Sequence, residues 1–156
     1  MQNQELPVIR TIKPINFLYF PTRTTLSELG GLVGHVQEKL YAEAVKEKLF
    51  IFGPAYWNYF NFQDIQKPFD LEISLPIAKL PLRYSGKYQI KTSQLFRCLA
   101  LQHEGSWEKF PEVYGFLMGY IHQQGLALTG ESRELYSNID FENPEANVTE
   151  IQIGIK

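Results

Sequence analysis

A single cysteine, Cys98, is all the thiol the chain has, so no intramolecular disulfide can form and no Cys/His cluster carries metal-ligand spacing. That lone thiol is expected to be a small buried hydrophobe on a strand. Basic charge is equally scarce. Fifteen Lys and Arg against 17 Asp and Glu leave a net charge of −2, without the excess that phosphate neutralisation demands, so no direct nucleic-acid binding is expected. No stretch reaches the roughly 18–20 apolar residues of a membrane span, and the N-terminal MQNQELPVIR lacks a charged segment followed by an apolar run. These absences give the expectation of a cytoplasmic chain with no membrane contact, no metal and no cofactor.

What is present points to one folded unit. At 156 residues, 44 % hydrophobic and 21 % charged, the chain fits one domain over 1–156 with a core of its own. Its 11 Phe, 9 Tyr and 2 Trp make up 14 % of it, more than a small core needs.

Periodicity divides the chain. Asn16 to Phe20 reads as a short strand closed by Pro21. Thr25 with Glu28 is a capping-box signature, and Leu29, Val33, Val36, Leu40 and Ala44 recur at helical spacing, which predicts a helix over 26–48. Gly30, Gly31 and Gly34 weaken its first turns, and close packing against the sheet is the expected reason; Gly115 and Gly119 invite the same reading. None of these glycines forms a phosphate loop, because no GxGxxG follows a strand. After Gly53 and Pro54, residues 55–62 form a strand dense in rings. A turn over Asp64 to Pro68 leads into 69–77, where every odd position is apolar. Residues 79–93 read as a connection with a short strand at 88–91. A strand at 95–103, a turn capped by Ser106, a helix over 108–124 ended by Gly125, and strands at 133–137 and 147–155 complete the pattern.

The two parts repeat one another. Gly53 to Tyr59 and Gly130 to Tyr136 lie 77 positions apart, as do Val36 and Val113; Leu71 to Ile77 and Thr149 to Ile155 lie 78 apart. Repeat one covers about 14–78 and repeat two about 94–156. Two β-α-β-β units give an α+β fold with a concave, largely antiparallel sheet and both helices on one face. The phase of Ile73 and Ile151 puts Glu72 and Glu150 on the helix-free face. If Trp57, Tyr59, Glu134 and Tyr136 share that face, rings and carboxylates meet in one concavity suited to a lipophilic cation. Solvated carboxylates on the polar face of ordinary strands are the alternative.

The double β-α-β-β layout, His103-Glu-Gly-Ser-Trp107, the segment Gly130 to Tyr136 and the closing Asn147 to Ile155 together resemble the GyrI-like small-molecule-binding superfamily, which includes effector-binding domains of AraC-type and multidrug-sensing regulators. The resemblance implies a pocket between the two repeats. In it, an acidic residue on the strand before last, here Glu134 beside Tyr136, contacts cationic ligands amid aromatics, with Glu150 at the acidic position of the last strand. Ser106 and Trp107 stand where the family pattern has Pro and Tyr. With no length or basic charge for a helix-turn-helix domain, the chain looks like a stand-alone member.

The expected ligand-binding set is Trp57, Tyr59, Glu72, Trp107, Glu134, Tyr136 and Glu150, capturing a hydrophobic, cationic small molecule. A hydrolase with Glu134 or Glu150 as general base is the alternative, and a protein-interaction domain, with gyrase as the family's precedent, is the second. Gly130-Glu-Ser-Arg-Glu134 misses GxSxG by its last residue, so Ser132 is read as a strand or turn serine. His35 and His122 are read as helix-surface residues, and His103 as a turn residue within reach of backbone.

Overall fold

The computed structural model describes residues 6–62 and 66–156, with the side chains of 32–34 set aside. In chain order the elements are β1 (Val8–Ile12), β2 (Asn16–Thr24), α1 (Leu26–Lys46), β3 (Ala55–Phe60), β4 (Phe69–Ile77), β5 (Gln89–Thr92), β6 (Phe96–Glu104), α2 (Phe110–Gln123), β7 (Leu128–Asn138) and β8 (Val148–Ile155). The fold is α+β: all eight strands join one sheet in the order β1-β6-β8-β7-β3-β4-β2-β5, and every neighbouring pair is antiparallel. Both central strands, β3 and β7, directly follow a helix-bearing segment.

Cross-strand partners in an antiparallel ladder point to the same face, so the register sorts the sheet into rows. One row runs Phe20, Ile73, Trp57, Glu134, Ile151, Leu101. Leu40 and Ala44 of α1 pack with Ile73 and Trp57, and Val113, Leu117 and Ile121 of α2 pack with Ile151 and Leu101. Both helices therefore cover this face. Leu40, Leu117, Ile73 and Ile151 are fully buried, and each such side chain contributes roughly 1.5–3 kcal/mol of transfer free energy. The adjacent row, Pro21, Glu72, Asn58, Arg133, Gln152, Ala100, belongs to the helix-free face.

Several local expectations change. The polar N-terminal stretch contains β1, which pairs with β6; a five-residue edge strand with four residues exposed leaves little periodic signal. β2 does not stop at Pro21 but runs on to Thr24. Pairing with β5 ends at Tyr19, so from Phe20 onward that side of β2 is an edge, where a missing N–H is tolerated. Thr25 is the N-cap of α1, yet its hydroxyl bonds Ser27 rather than a helix N–H, so the capping box is not formed. Gly30, Gly31, Gly115 and Gly119 have open space where a Cβ would lie, so helix-on-sheet packing does not explain them; Gly34, Val33 and Asp64 fall outside the described side chains and residues.

Gly154 does have a packing reason. An added Cβ would stand 2.6 Å from the Glu131 carbonyl and 2.9 Å from the Phe96 ring, closer than real contacts allow. Its bare backbone lets Phe96 reach across β8 to lie 4.0 Å from the Arg133 guanidinium. Cys98 is buried on β6, as expected, and burial raises its thiol pKa to about 11.

Candidate functional site

Trp57 and Glu134 face each other across the two central strands. Period two brings Tyr59 and Tyr136 to the same, helix-covered face. α2 adds Tyr114, which lies on the helical stripe Phe110, Tyr114, Leu117, Ile121. The Glu134 carboxyl is only 3 % exposed. The Tyr136 hydroxyl donates to its Oε1 at 3.2 Å, and the hydroxyls of Tyr59 and Tyr114 also act on the carboxyl, favouring its ionised form.

Burial raises the Glu134 pKa above the usual carboxylate value, and the three tyrosine hydrogen bonds offset part of that rise. Tyr59, Tyr114 and Tyr136 are themselves pushed well above the usual phenol value, first by burial and then by the negative charge of Glu134. They stay protonated and act as donors. The ion pairs among the described residues join Arg10 to Glu150, Arg23 to Asp70, Lys91 to Glu72 and Arg133 to Glu131; Glu134 is in none of them.

Rings complete the site. Tyr136 meets Trp57 edge-on at 5.4 Å and Trp107 at 5.6 Å, and Tyr59 packs on Phe69 at 5.5 Å. Both indoles are fixed by their N–H groups: Trp57 Nε1 donates to Gln37 Oε1 at 3.3 Å, and Trp107 Nε1 to Thr149 Oγ1 at 3.1 Å. Trp107 sits on a 3-10 turn, Trp107–Lys109, whose first N–H groups are capped by the Ser106 hydroxyl through Glu108 N at 3.2 Å. His103 bonds the Ser106 carbonyl at 2.9 Å, the backbone role expected of it. Beyond Trp107, Phe141 lies 6.1 Å away and 80 % exposed.

Of the seven residues the sequence singles out, Trp57, Tyr59, Trp107, Glu134 and Tyr136 come together. Glu72 and Glu150 do not join them. They do lie on the helix-free face, as their phase implies, but the face proposed to be shared by the six strand residues is corrected: Trp57 stands opposite Ile73, and Glu134 opposite Ile151. Glu72 pairs with Lys91, and Glu150 with Arg10 at 2.7 Å. A one-residue difference in strand phase separates the two groups by the thickness of the sheet.

Sequence reasoning missed Tyr114, though its place on the 110/114/117/121 stripe was a usable signal. It also missed Arg133, 1 % exposed on the helix-free face, whose guanidinium bonds Glu131 at 3.2 and 3.3 Å. Ser132 has no histidine partner among the described hydrogen bonds, and His35 and His122 are exposed on the helices. The described residues contain no group of three or more His, Cys, Asp or Glu placed to hold a metal, and none of their helices is long and apolar enough to cross a membrane. Chemically, the cluster is a desolvated carboxyl with neutral donors and aromatic walls, a setting in which a cation relieves an uncompensated charge.

The family model of the GyrI-like small molecule binding domain matches residues 7–156. No curated protein sequence matches the chain. Among solved structures, EcmrR in its complex with DNA superposes with a TM-score of 0.81 at 16 % identity, covering 97 % of this chain and 57 % of that one. This chain thus spans little more than half the length of EcmrR. SAV2435 bound to tetraphenylphosphonium gives 0.66 at 15 % identity over 97 % and 94 % of the two chains. A hydrolase from Listeria innocua gives 0.69 at 14 % identity over 96 % and 91 %. At these identities the likeness is one of fold.

Proposed function

The chain belongs to the GyrI-like small-molecule-binding domain family, and from that membership we propose that it captures a lipophilic organic cation against Glu134, between Trp57, Tyr59, Tyr114, Tyr136 and Trp107. The observation that carries the reading is Glu134, 3 % exposed, with the Tyr136 hydroxyl bonded to it, Tyr59 and Tyr114 beside it, and no ion-pair partner among the described residues. Three neutral donors spread its charge without cancelling it. A cation seated over the rings does cancel it, and each ring face adds about 0.5–2 kcal/mol. Glu134 and Trp57 lie on the two strands where the units β2-α1-β3-β4 and β6-α2-β7-β8 adjoin. We take these units as copies related by a pseudo-twofold axis, with the pocket at their junction. The ligand's charge, the free-standing state of the chain and its cytoplasmic place all belong to this proposal.

Titration with tetraphenylphosphonium, followed by tryptophan fluorescence, tests it. Glu134→Gln keeps the hydrogen-bonding shape but removes the charge, and is expected to weaken binding about tenfold, or about 1.4 kcal/mol, with an unchanged or higher Tm. Equal affinity in parent and variant overturns the electrostatic reading.

The raised pKa of Glu134 favours one second reading, a hydrolase with Glu134 as general base toward water. Turnover of an electrophilic ester that Glu134→Gln abolishes would select it. Glu150, bound to Arg10 on the opposite face, has no part in either reading.

A further inference from the structure

Glu72, left out of the tyrosine cluster, sits in a constellation of its own. On the helix-free face a depression of about 530 Å3 is lined by Phe60, Asp70, Glu72 and Lys91, among others. The Lys91 ammonium bonds the Glu72 carboxylate and lies 4.6 Å from the centre of the Tyr19 ring and 5.5 Å from that of Phe60. A carboxylate and two ring faces around one ammonium are the elements of an amine-recognition cage.

The occupant is held loosely. Lys91 lies on β5, a four-residue edge strand that pairs only with β2, and its side chain is 31 % exposed. Releasing the ammonium needs rotation of a flexible four-carbon stem, with the backbone pairing to Phe17 left in place. Asp70, at the rim, is engaged by Arg23 at 3.1 Å, so Glu72 is the carboxylate that Lys91 alone neutralises.

We propose that this depression is a second ligand site, on the face opposite the tyrosine cluster, which takes primary alkylammonium groups, and that Lys91 is its tethered occupant and sets its affinity. The chemistry differs from that of the first site. Glu134 is surrounded by hydroxyl donors and favours a cation without N–H groups, whereas Glu72 offers a carboxylate acceptor in the depression and favours one that carries them.

The probe is 1,5-diaminopentane, titrated calorimetrically at low ionic strength into the full chain. A tether that fills the site about nine-tenths of the time lowers apparent affinity about tenfold, so Lys91→Met is expected to tighten diamine binding by about that factor. Adding Glu72→Gln to that variant is expected to abolish it. Tetramethylammonium, which has no N–H, should bind at least about tenfold more weakly than the diamine, and saturating tetraphenylphosphonium should not compete. In the unmutated chain, the diamine should shift the backbone amide resonances of Tyr19, Phe60 and Lys91. Diamine binding that Lys91→Met leaves unchanged or weakens, that survives Glu72→Gln, or that shifts only residues around Glu134, overturns the proposal.

Discussion

On the helix-covered face the sheet's carboxylate, Glu134, is held by tyrosine hydroxyls alone, whereas on the helix-free face Glu72 and Glu150 each meet a cation delivered by an outer strand, Lys91 from β5 and Arg10 from β1. The registers match closely. Lys91 stands opposite Phe17, itself opposite Pro76, four residues after Glu72; Arg10 stands opposite Cys98, itself opposite Gly154, four residues after Glu150. One face supplies its own countercharges through its edge strands. The other leaves a desolvated carboxyl with no ion-pair partner among the described residues, because helices and rings, not edge strands, surround it. Within the helix-free face a further contrast holds: Lys91 lies over two rings beside a depression, while Arg10 is 46 % exposed at the rim.

Arg133 and Glu134 are consecutive on β7 and carry the contrast to its limit. Arg133→Ala removes a fully buried guanidinium that pairs with Glu131 and packs on Phe96, and should cost about 3 kcal/mol in urea unfolding with tetraphenylphosphonium affinity kept within about twofold. A loss below about 1 kcal/mol would mean that the helix-free face does not depend on its internal charges in this way.

The pH dependence should separate the faces next. Because burial raises the Glu134 pKa, its stabilising contribution is fully present below the unfolded carboxylate pKa, about 4.3, and is lost as pH rises through the higher folded value. Cation affinity runs the other way, since only the ionised form attracts the ligand. Tetraphenylphosphonium binding is expected to strengthen about tenfold as pH rises through that value, while Glu134→Gln shows a flat profile. A flat profile in the parent would mean that Glu134 is ionised throughout.

Tyr136→Phe deletes one donor to the carboxyl. It should raise the Glu134 pKa further and weaken the ionised form by about 1 kcal/mol, seen as a shift of the same affinity profile to higher pH. The smallest effect belongs to Arg10→Ala. Its half-exposed pair with Glu150 should contribute about 0.5 kcal/mol or less, a change in Tm of about 1–2 °C, with no change in cation binding. A loss above about 2 kcal/mol would place Arg10 with Arg133 as a structural cation.

The alternation of apolar residues at 69, 71, 73, 75 and 77 marked β4 correctly because that strand is covered on the helix side along its whole length. The stripes through Leu40 and Leu117 marked both helices for the same reason. β1 left no such mark, with four of its five residues exposed. Nor did the passage of β2 through Pro21, which depends on where β5 happens to end. At the candidate site, the sequence marked Glu134 and Tyr136 together with Glu72 and Glu150, which the register puts on the other face. Tyr114 was not marked, because its approach to Glu134 is a contact between a helix and a distant strand that no local spacing records.

The sequence by itself determined the two helices, most of the strands between them, the alternation along β4 and the family; among carboxylates it offered Glu72, Glu134 and Glu150 without choosing. The elements were legible because burial and secondary structure leave periodic traces over a few residues. Only the tertiary structure decided which carboxylates share a face. Trp57 meets Glu134, and Lys91 meets Glu72, through hydrogen-bond register between strands far apart in the chain. A slip of one residue in that register would exchange the two faces and leave the local pattern unchanged.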